Sequence, residues 1–563
     1  MKAARLLSTA AAFFLVTPGF AQAKAPDTVP DTVFVNGQVY TGGGWAEALA
    51  IGDGKIIATG TNAAVRTLAD SHTRIVDLNN RTVLPGLADM HVHPPHAGMA
   101  ALECRIAQGA DATTFLNAVS ACVKAKQPGQ WITGGQWQAA SIGDASLNKA
   151  ALDRVSPDNP VVLVDISGHS YWANSKALQI AGITRDTPNP TGGIIERDAA
   201  GEPTGILREN AKDLVQAHVP PPTAEQTTAS LKIALDILLS EGVTTLTDAL
   251  LVKETLLAYD ALADRGELKQ NVVGCITYKR APDFEDLIAH RQSYARPNFR
   301  PECVKVFMDG VPTDSHTAAM LEPYAGGQHN APPRGILLIG ADELNPAVTR
   351  WDKLGLTVKF HAVGDWAVRT ALDAVEAARK ANGPNGPHHE IGHLTFVSPE
   401  DIGRATALNA TWEFSPYLWY PTVINEDITK AIGPDRLERV WPLREGFASG
   451  ANVIAGSDWP VVPDGNPWLA IETSITRKAP GGSGEAFGGG EAITLQQAFD
   501  MFTINAARQM GEADKRGSLE AGKIADFIVT DKNPFKIPVT EIHTVQVQQT
   551  YTGGEKVFDR SPQ

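Results

Sequence analysis

The sequence has no glycine-rich phosphate loop, no internal repeat and no basic stripe, and its 49 Lys and Arg are outnumbered by 63 Asp and Glu. The resulting charge of −14 argues against nucleic acid or an anionic membrane as the main partner. Cysteine is scarce, with four in 563 residues, and none has the paired CxxC spacing of a zinc ribbon. The apolar stretch from Ala10 to Phe20 is too short to span a bilayer. What remains is ordinary globular composition, 43% apolar and 20% charged, able to bury a large core.

The N-terminus stands apart. Lys2 and Arg5 precede the apolar stretch, and Ala21-Gln22-Ala23 supplies small residues for cleavage. This layout reads as a secretory signal peptide over 1–23, the other reading being an ordinary N-terminal helix. The mature chain would begin near Lys24, periplasmic or secreted, with no membrane insertion once the signal is removed. An oxidising compartment would permit a bridge between Cys104 and Cys122, 18 positions apart. Cys275 and Cys303 lie inside apolar strand-like runs and read as buried free thiols.

Short β elements fill residues 31–83, including a hairpin turn at Asp53-Gly54, and a similar pattern returns from Gly517 to Val557. The two ends, 24–83 and 515–563, are expected to pair into one small β-sandwich. Between them, apolar strands alternate with helical patterns, as in a parallel α/β fold. Eight strands are expected, at Val83–His93, Thr244–Asp248, Val272–Tyr278, Val304–Asp309, Thr357–His361, His389–His393, Thr411–Phe414 and Val453–Asp458. They predict a (β/α)8 TIM-like barrel over 84–514, with its site at the C-terminal strand ends. Residues 100–240 are too many for one crossover and read as an inserted α/β cap. Gly481–Gly490 reads as a mobile surface loop.

The strand ends carry chemistry. The first ends in His91-Val92-His93, and residues two apart on a strand share a face, so both imidazoles can reach one ion. The fourth places Lys305 inside an apolar run. The fifth ends at His361, the sixth at His393 and the eighth at Asp458. Singly, each has an ordinary explanation: a hydrogen-bonded core histidine, a snorkelling lysine, a helix-capping aspartate. Five strand ends all bearing ligand-type side chains are poorly explained by coincidence. Asp309, Asp365 and Glu390 are the nearest carboxylates, suited to orienting histidines or to strand-end hydrogen bonds.

Leu84-Pro85-Gly86-Leu87-Ala88-Asp89-Met90-His91-Val92-His93, Gly192-Gly193-Ile194, Val304–Gly310, His361–Asp365, Ile391–His393, Gly456-Ser457-Asp458 and Gly517–Asp526 together resemble the amidohydrolase superfamily, and more closely its YtcJ-like branch, which includes N-substituted formamide deformylases. The resemblance covers essentially the whole mature chain. It implies a binuclear centre, with His91 and His93 on one ion, His361 and His393 on the other, and a carbon dioxide-derived carbamate on Lys305 bridging both. It also implies that Asp458 binds the first ion and moves the proton of a bridging hydroxide. Two divalent ions are expected, zinc foremost, with manganese, iron or cobalt as alternatives. In the cap, His169 and Trp172 resemble a segment facing the site. His316, Tyr324 and Trp419 follow strands four and seven and either line the pocket or belong to surface loops.

The expected activity is hydrolysis of a C–N bond in a small molecule: an amide, formamide, carbamate or cyclic amide. An ester hydrolase or a deaminase on the same scaffold is the nearest alternative. A periplasmic ligand-binding protein without catalysis is another, and a homo-oligomer is compatible with the sequence.

Overall fold

The computed structural model of the protein describes residues 29–560 except 101–102, 108, 144–145, 314, 326–331, 420–422 and 463. The expected signal segment 1–23 lies outside the described residues. Among the described residues, no helix is long and apolar enough to cross a membrane.

Eight parallel strands in chain order form the central sheet. They are Leu87–Val92, Val243–Leu251, Asn271–Thr277, Phe299–Phe307, Thr357–Ala362, Glu390–His393, Thr411–Phe414 and Asn452–Ala455. Their near-continuous burial is that of a parallel sheet covered on both faces. The sheet curls into the expected barrel, and its two edge strands meet just beyond the eighth. There Asp458 N donates to His91 O at 2.6 Å, His93 N to Trp459 O at 2.9 Å, and Ser457 N to the Asp89 carboxylate at 2.9 Å. Gly456 permits this closure, because a Cβ there would stand 2.5 Å from the His91 nitrogen.

The expected first strand, Val83–His93, is two strands. Thr82–Pro85 belongs to a peripheral sheet, and the chain enters the barrel only after Gly86, where a Cβ would collide with Thr244 Oγ1 at 2.2 Å. The peripheral sheet joins both chain ends: Phe527–Thr530 pairs with Thr82–Pro85, and Val547–Thr552 and Glu555–Asp559 extend it. A four-stranded sheet containing Thr32–Val35 and Ala48–Gly52 packs against it through Phe34, Leu49, Val83, Phe527 and Tyr551.

Between the first and second barrel strands, a mixed six-stranded sheet runs from Cys104–Arg105 to Pro203–Glu209. Its core includes Phe115, Trp137, Leu163 and Trp172. The helix Ala224–Ser240 falls within the expected cap, yet Leu231, Leu235 and Leu238 bury themselves in the barrel core. The cap therefore ends before this helix.

Two further expectations are corrected. Cys275 and Cys303 are not free thiols: they are register partners on adjacent barrel strands and are bridged, as are Cys104 and Cys122 in the cap. Adjacent parallel strands bring side chains of equal register together, which spacing along the chain cannot reveal. The glycine-rich run 481–490 is pinned rather than loose, because Phe487 N donates to Arg477 O and the buried Arg477 Nε donates back to Phe487 O.

Candidate metal centre

The C-terminal ends of the first, fourth, fifth, sixth and eighth strands converge on one buried cluster. His91 and His93 share a face of their strand end, and with Asp458 they bring ligand atoms within 4.8 Å of one another. His93 Nε2 lies 2.9 Å from Asp458 Oδ1. Lys305 Nζ lies 2.9 Å from His91 Nε2. The rings of His361 and His393 are 4.3 Å apart, and that of His393 is 4.6 Å from His91. All six residues singled out by sequence thus meet in one place.

Local backbone aims two of them. His393 at φ 72° and Asp458 at φ 61° occupy the left-handed region, which non-glycine residues enter at a cost. Each stands at or just beyond its strand's end, where the turn rotates the side chain inward.

Burial sets the charge states. It pushes His91, His361 and His393 well below the usual imidazole range, with Lys305 adding to the effect on His91. Neutral imidazoles are the form that binds metal. Burial also pushes the Lys305 ammonium down to about 7, with Asp458 pulling upward and Lys359 adding to the fall.

The residues fit a metal ion. His93 Nδ1 and His393 Nε2 are buried without a hydrogen-bond partner among the described residues, an expensive state for a polar atom unless something else occupies it. His91 is already oriented: its Nδ1 lies 2.7 Å from Glu413 Oε2, leaving Nε2 as a lone-pair donor facing the cluster.

Glu413 is the residue the sequence reading missed. It sits on the seventh strand with nothing in its surroundings to mark it, and only the barrel's closure brings it under His91. Beneath the cluster, Lys359 binds both Glu390 and Glu413. This network holds Glu390 below the cluster, where it also accepts from Gln509 Nε2. Asp309 accepts from the backbone of Ala319, Val363 and Gly364 at 2.8–3.0 Å, and Asp365 from Leu321. Asp309 and Asp365 organise loops around the mouth.

The cap delivers His169, whose ring is 5.1 Å from that of His361 and whose Nδ1 lies 2.9 Å from Glu209. Burial raises the Glu209 carboxyl, but His169 and Lys212 outweigh it and bring it to about 2. Trp172 is corrected as a substrate contact: it is fully buried in the cap core, its ring 5.7 Å from Phe115 and its indole donating to Asn148 O. Its strand alternation turns it inward while His169 occupies the preceding turn. Trp419 is likewise buried, under Arg477 at 4.6 Å and stacked on Trp441, so it is neither surface loop nor pocket wall. His316 stacks on Tyr324 in the folded loop after the fourth strand.

A parallel eight-stranded barrel with histidines, a lysine and an aspartate gathered at its strand ends defines a scaffold for metal-assisted chemistry. The chain belongs to the amidohydrolase family, whose model matches residues 74–558. It is 28% identical over 543 residues to the Bacillus subtilis (strain 168) protein YtcJ, covering 94% of this chain and 99% of that one. It is 27% identical over 552 residues to the N-substituted formamide deformylase of Arthrobacter pascens, again covering 94% and 99%. In fold it is similar to a metal-dependent hydrolase from Pyrococcus horikoshii OT3, with a TM-score of 0.72, 23% identity and coverage of 90% and 99%.

Proposed function

We propose that this protein is a metal-dependent hydrolase that cleaves a C–N bond of a small amide, formamide, carbamate or cyclic amide. The observation that carries the reading is the convergence of four imidazoles, Lys305 and Asp458, with two buried imidazole nitrogens lacking hydrogen-bond partners among the described residues. In this reading His91, His93, His361, His393, Lys305 and Asp458 hold two divalent ions, zinc or a chemically similar metal. Such ions, when bound, acidify water and polarise a carbonyl.

The chain's own residues have distinct tasks. Asp458, within reach of His93 and partly open to the mouth, takes a proton from the attacking water and passes it to the leaving nitrogen. Glu413 holds His91 in one tautomer and orientation. Lys305, buried and displaced toward its neutral amine, adds to carbon dioxide and loses a proton, becoming a carbamate whose two oxygens suit a shared ligand position. His169 closes the cluster from the cap side. We further propose that residues 1–23 direct export, which would place the enzyme in the periplasm or outside the cell.

Chelation followed by dialysis should abolish turnover of a panel of N-formyl, N-acyl and carbamate compounds, and zinc or manganese should restore it. Asp458→Asn should retain most of the metal while losing at least about 100-fold in kcat. Full activity in the metal-depleted protein would overturn the reading.

A further inference from the structure

The loop after the third barrel strand holds Tyr278, Lys279 and Arg280, and two of the three are committed outward. Tyr278 donates its hydroxyl and Lys279 its ammonium to Glu343, both at 2.8 Å. Lys279, at φ 64°, turns the backbone so that the next residue leaves in another direction. Arg280 has no carboxylate or carbonyl partner among the described residues. Its guanidinium lies 4.0 Å from the centre of the Phe307 ring, which in turn is 5.1 Å from Lys305 Nζ and 5.4 Å from the His361 ring. One aromatic ring therefore separates this exposed cation from the candidate metal centre.

Arg280 is also felt from three sides of the mouth. It acts on Lys305 in the fourth strand, on His96 in the helix Pro94–Ala100 after the first, and on Lys212 and Tyr171 in the cap. Lys212 is buried, and its ammonium donates to the Gly168 carbonyl and lies 5.6 Å from the centre of the Tyr171 ring. Glu209, Asp165 and Asp213 act favourably on Lys212, but Glu209 is bound by His169 and Thr317, and Asp165 by Ser167 and Ser170. A barrel cation and a cap cation thus repel one another at the mouth, and Glu209, Asp165 and Asp213 on the cap side oppose that repulsion.

We propose that Arg280, assisted by Lys212, binds a carboxylate on the substrate, so that the substrate class is an amide whose far end is anionic. This rests on the hydrolase reading above and narrows it. A planar guanidinium stacked on an aromatic face keeps its edge free for a bidentate carboxylate. Binding there would hold one end of the molecule beside Phe307 while the amide reaches the cluster. Arg280 is a specificity residue, with no part in the bond-breaking step.

The test compares N-acetylphenylalanine with its carboxamide, by calorimetric titration of the metal-loaded protein and by steady-state kinetics. The carboxylate is expected to bind at least about tenfold tighter, with an affinity that weakens as salt rises. Arg280→Gln should erase that preference, raising KM for the acid with little change in kcat, and Arg280→Lys should restore part of it. Equal affinity for the two probes, no binding of either, or a preference that survives Arg280→Gln would overturn the proposal, the last pointing to capture by the metal. If neither probe nor any amide is hydrolysed while the Arg280-dependent preference stands, the hydrolase reading fails and this site does not.

Discussion

Glu413 and Arg280 differ from the histidines in how they could be found. A histidine at a strand end advertises metal chemistry, whereas a glutamate inside Thr411–Phe414 looks like any buried carboxylate. Its task follows from one distance, 2.7 Å to His91 Nδ1. Removing that acceptor frees the ring to rotate and weakens its donor nitrogen, at a typical cost of 10–100-fold in metal affinity. Glu413→Gln should therefore lose metal about 10–100-fold more readily in competition with a chelator, while thermal unfolding of the apo form changes little. Equal metal retention in the two proteins would show that His91 needs no such support. The residues that were legible, His91, His93, Lys305, His361, His393 and Asp458, were so because their side chains are chemically conspicuous in apolar strands. Trp172 misled because an aromatic beside His169 suits a pocket and a core equally well.

At the scale of elements, the strands were readable because a doubly covered parallel strand must be apolar along its length. Seven of the eight expected strands overlap single barrel strands, with ends displaced by up to five residues in the fourth and up to three in the second and eighth, and the exception divides at Gly86, where a turn between two sheets hides inside a continuous apolar run. The junction of first and eighth strands depends on another glycine. At Gly456 an added Cβ would stand 2.3 Å from His91 Cβ, so backbone would have to move. Gly456→Ala should cost about 1–3 kcal/mol in denaturant unfolding and lower metal content, because the strain falls on His91, a proposed ligand. Unchanged stability and metal content would mean that the two strands can part without consequence. The bridge between Cys275 and Cys303 belongs to this scale as well, since register between neighbouring strands created it.

For the whole molecule, the chain ends fold as one body. Ile56 N donates to Lys523 O, Ala525 N to Gly54 O, and Phe34 packs edge-on to Phe527 and Tyr551. Ile528 and Val547 also reach into the barrel core. A chain stopped at Asp526 would lose three of six strands in one sheet and expose both surfaces. It should lack a cooperative thermal transition and elute as aggregate, and a monodisperse, metal-binding product would disprove this coupling. The sequence by itself determined the strand count, the barrel and the ligand-type residues, because periodicity and side-chain chemistry are local properties. Only the tertiary structure decided what touches what: Glu413 under His91, His169 over His361, the helix Ala224–Ser240 in the barrel rather than the cap, and Arg280 over Phe307 at the mouth, without a carboxylate or carbonyl partner among the described residues. Those relations arise from closure of the barrel and docking of the cap, which join residues hundreds of positions apart and leave no mark on either segment alone.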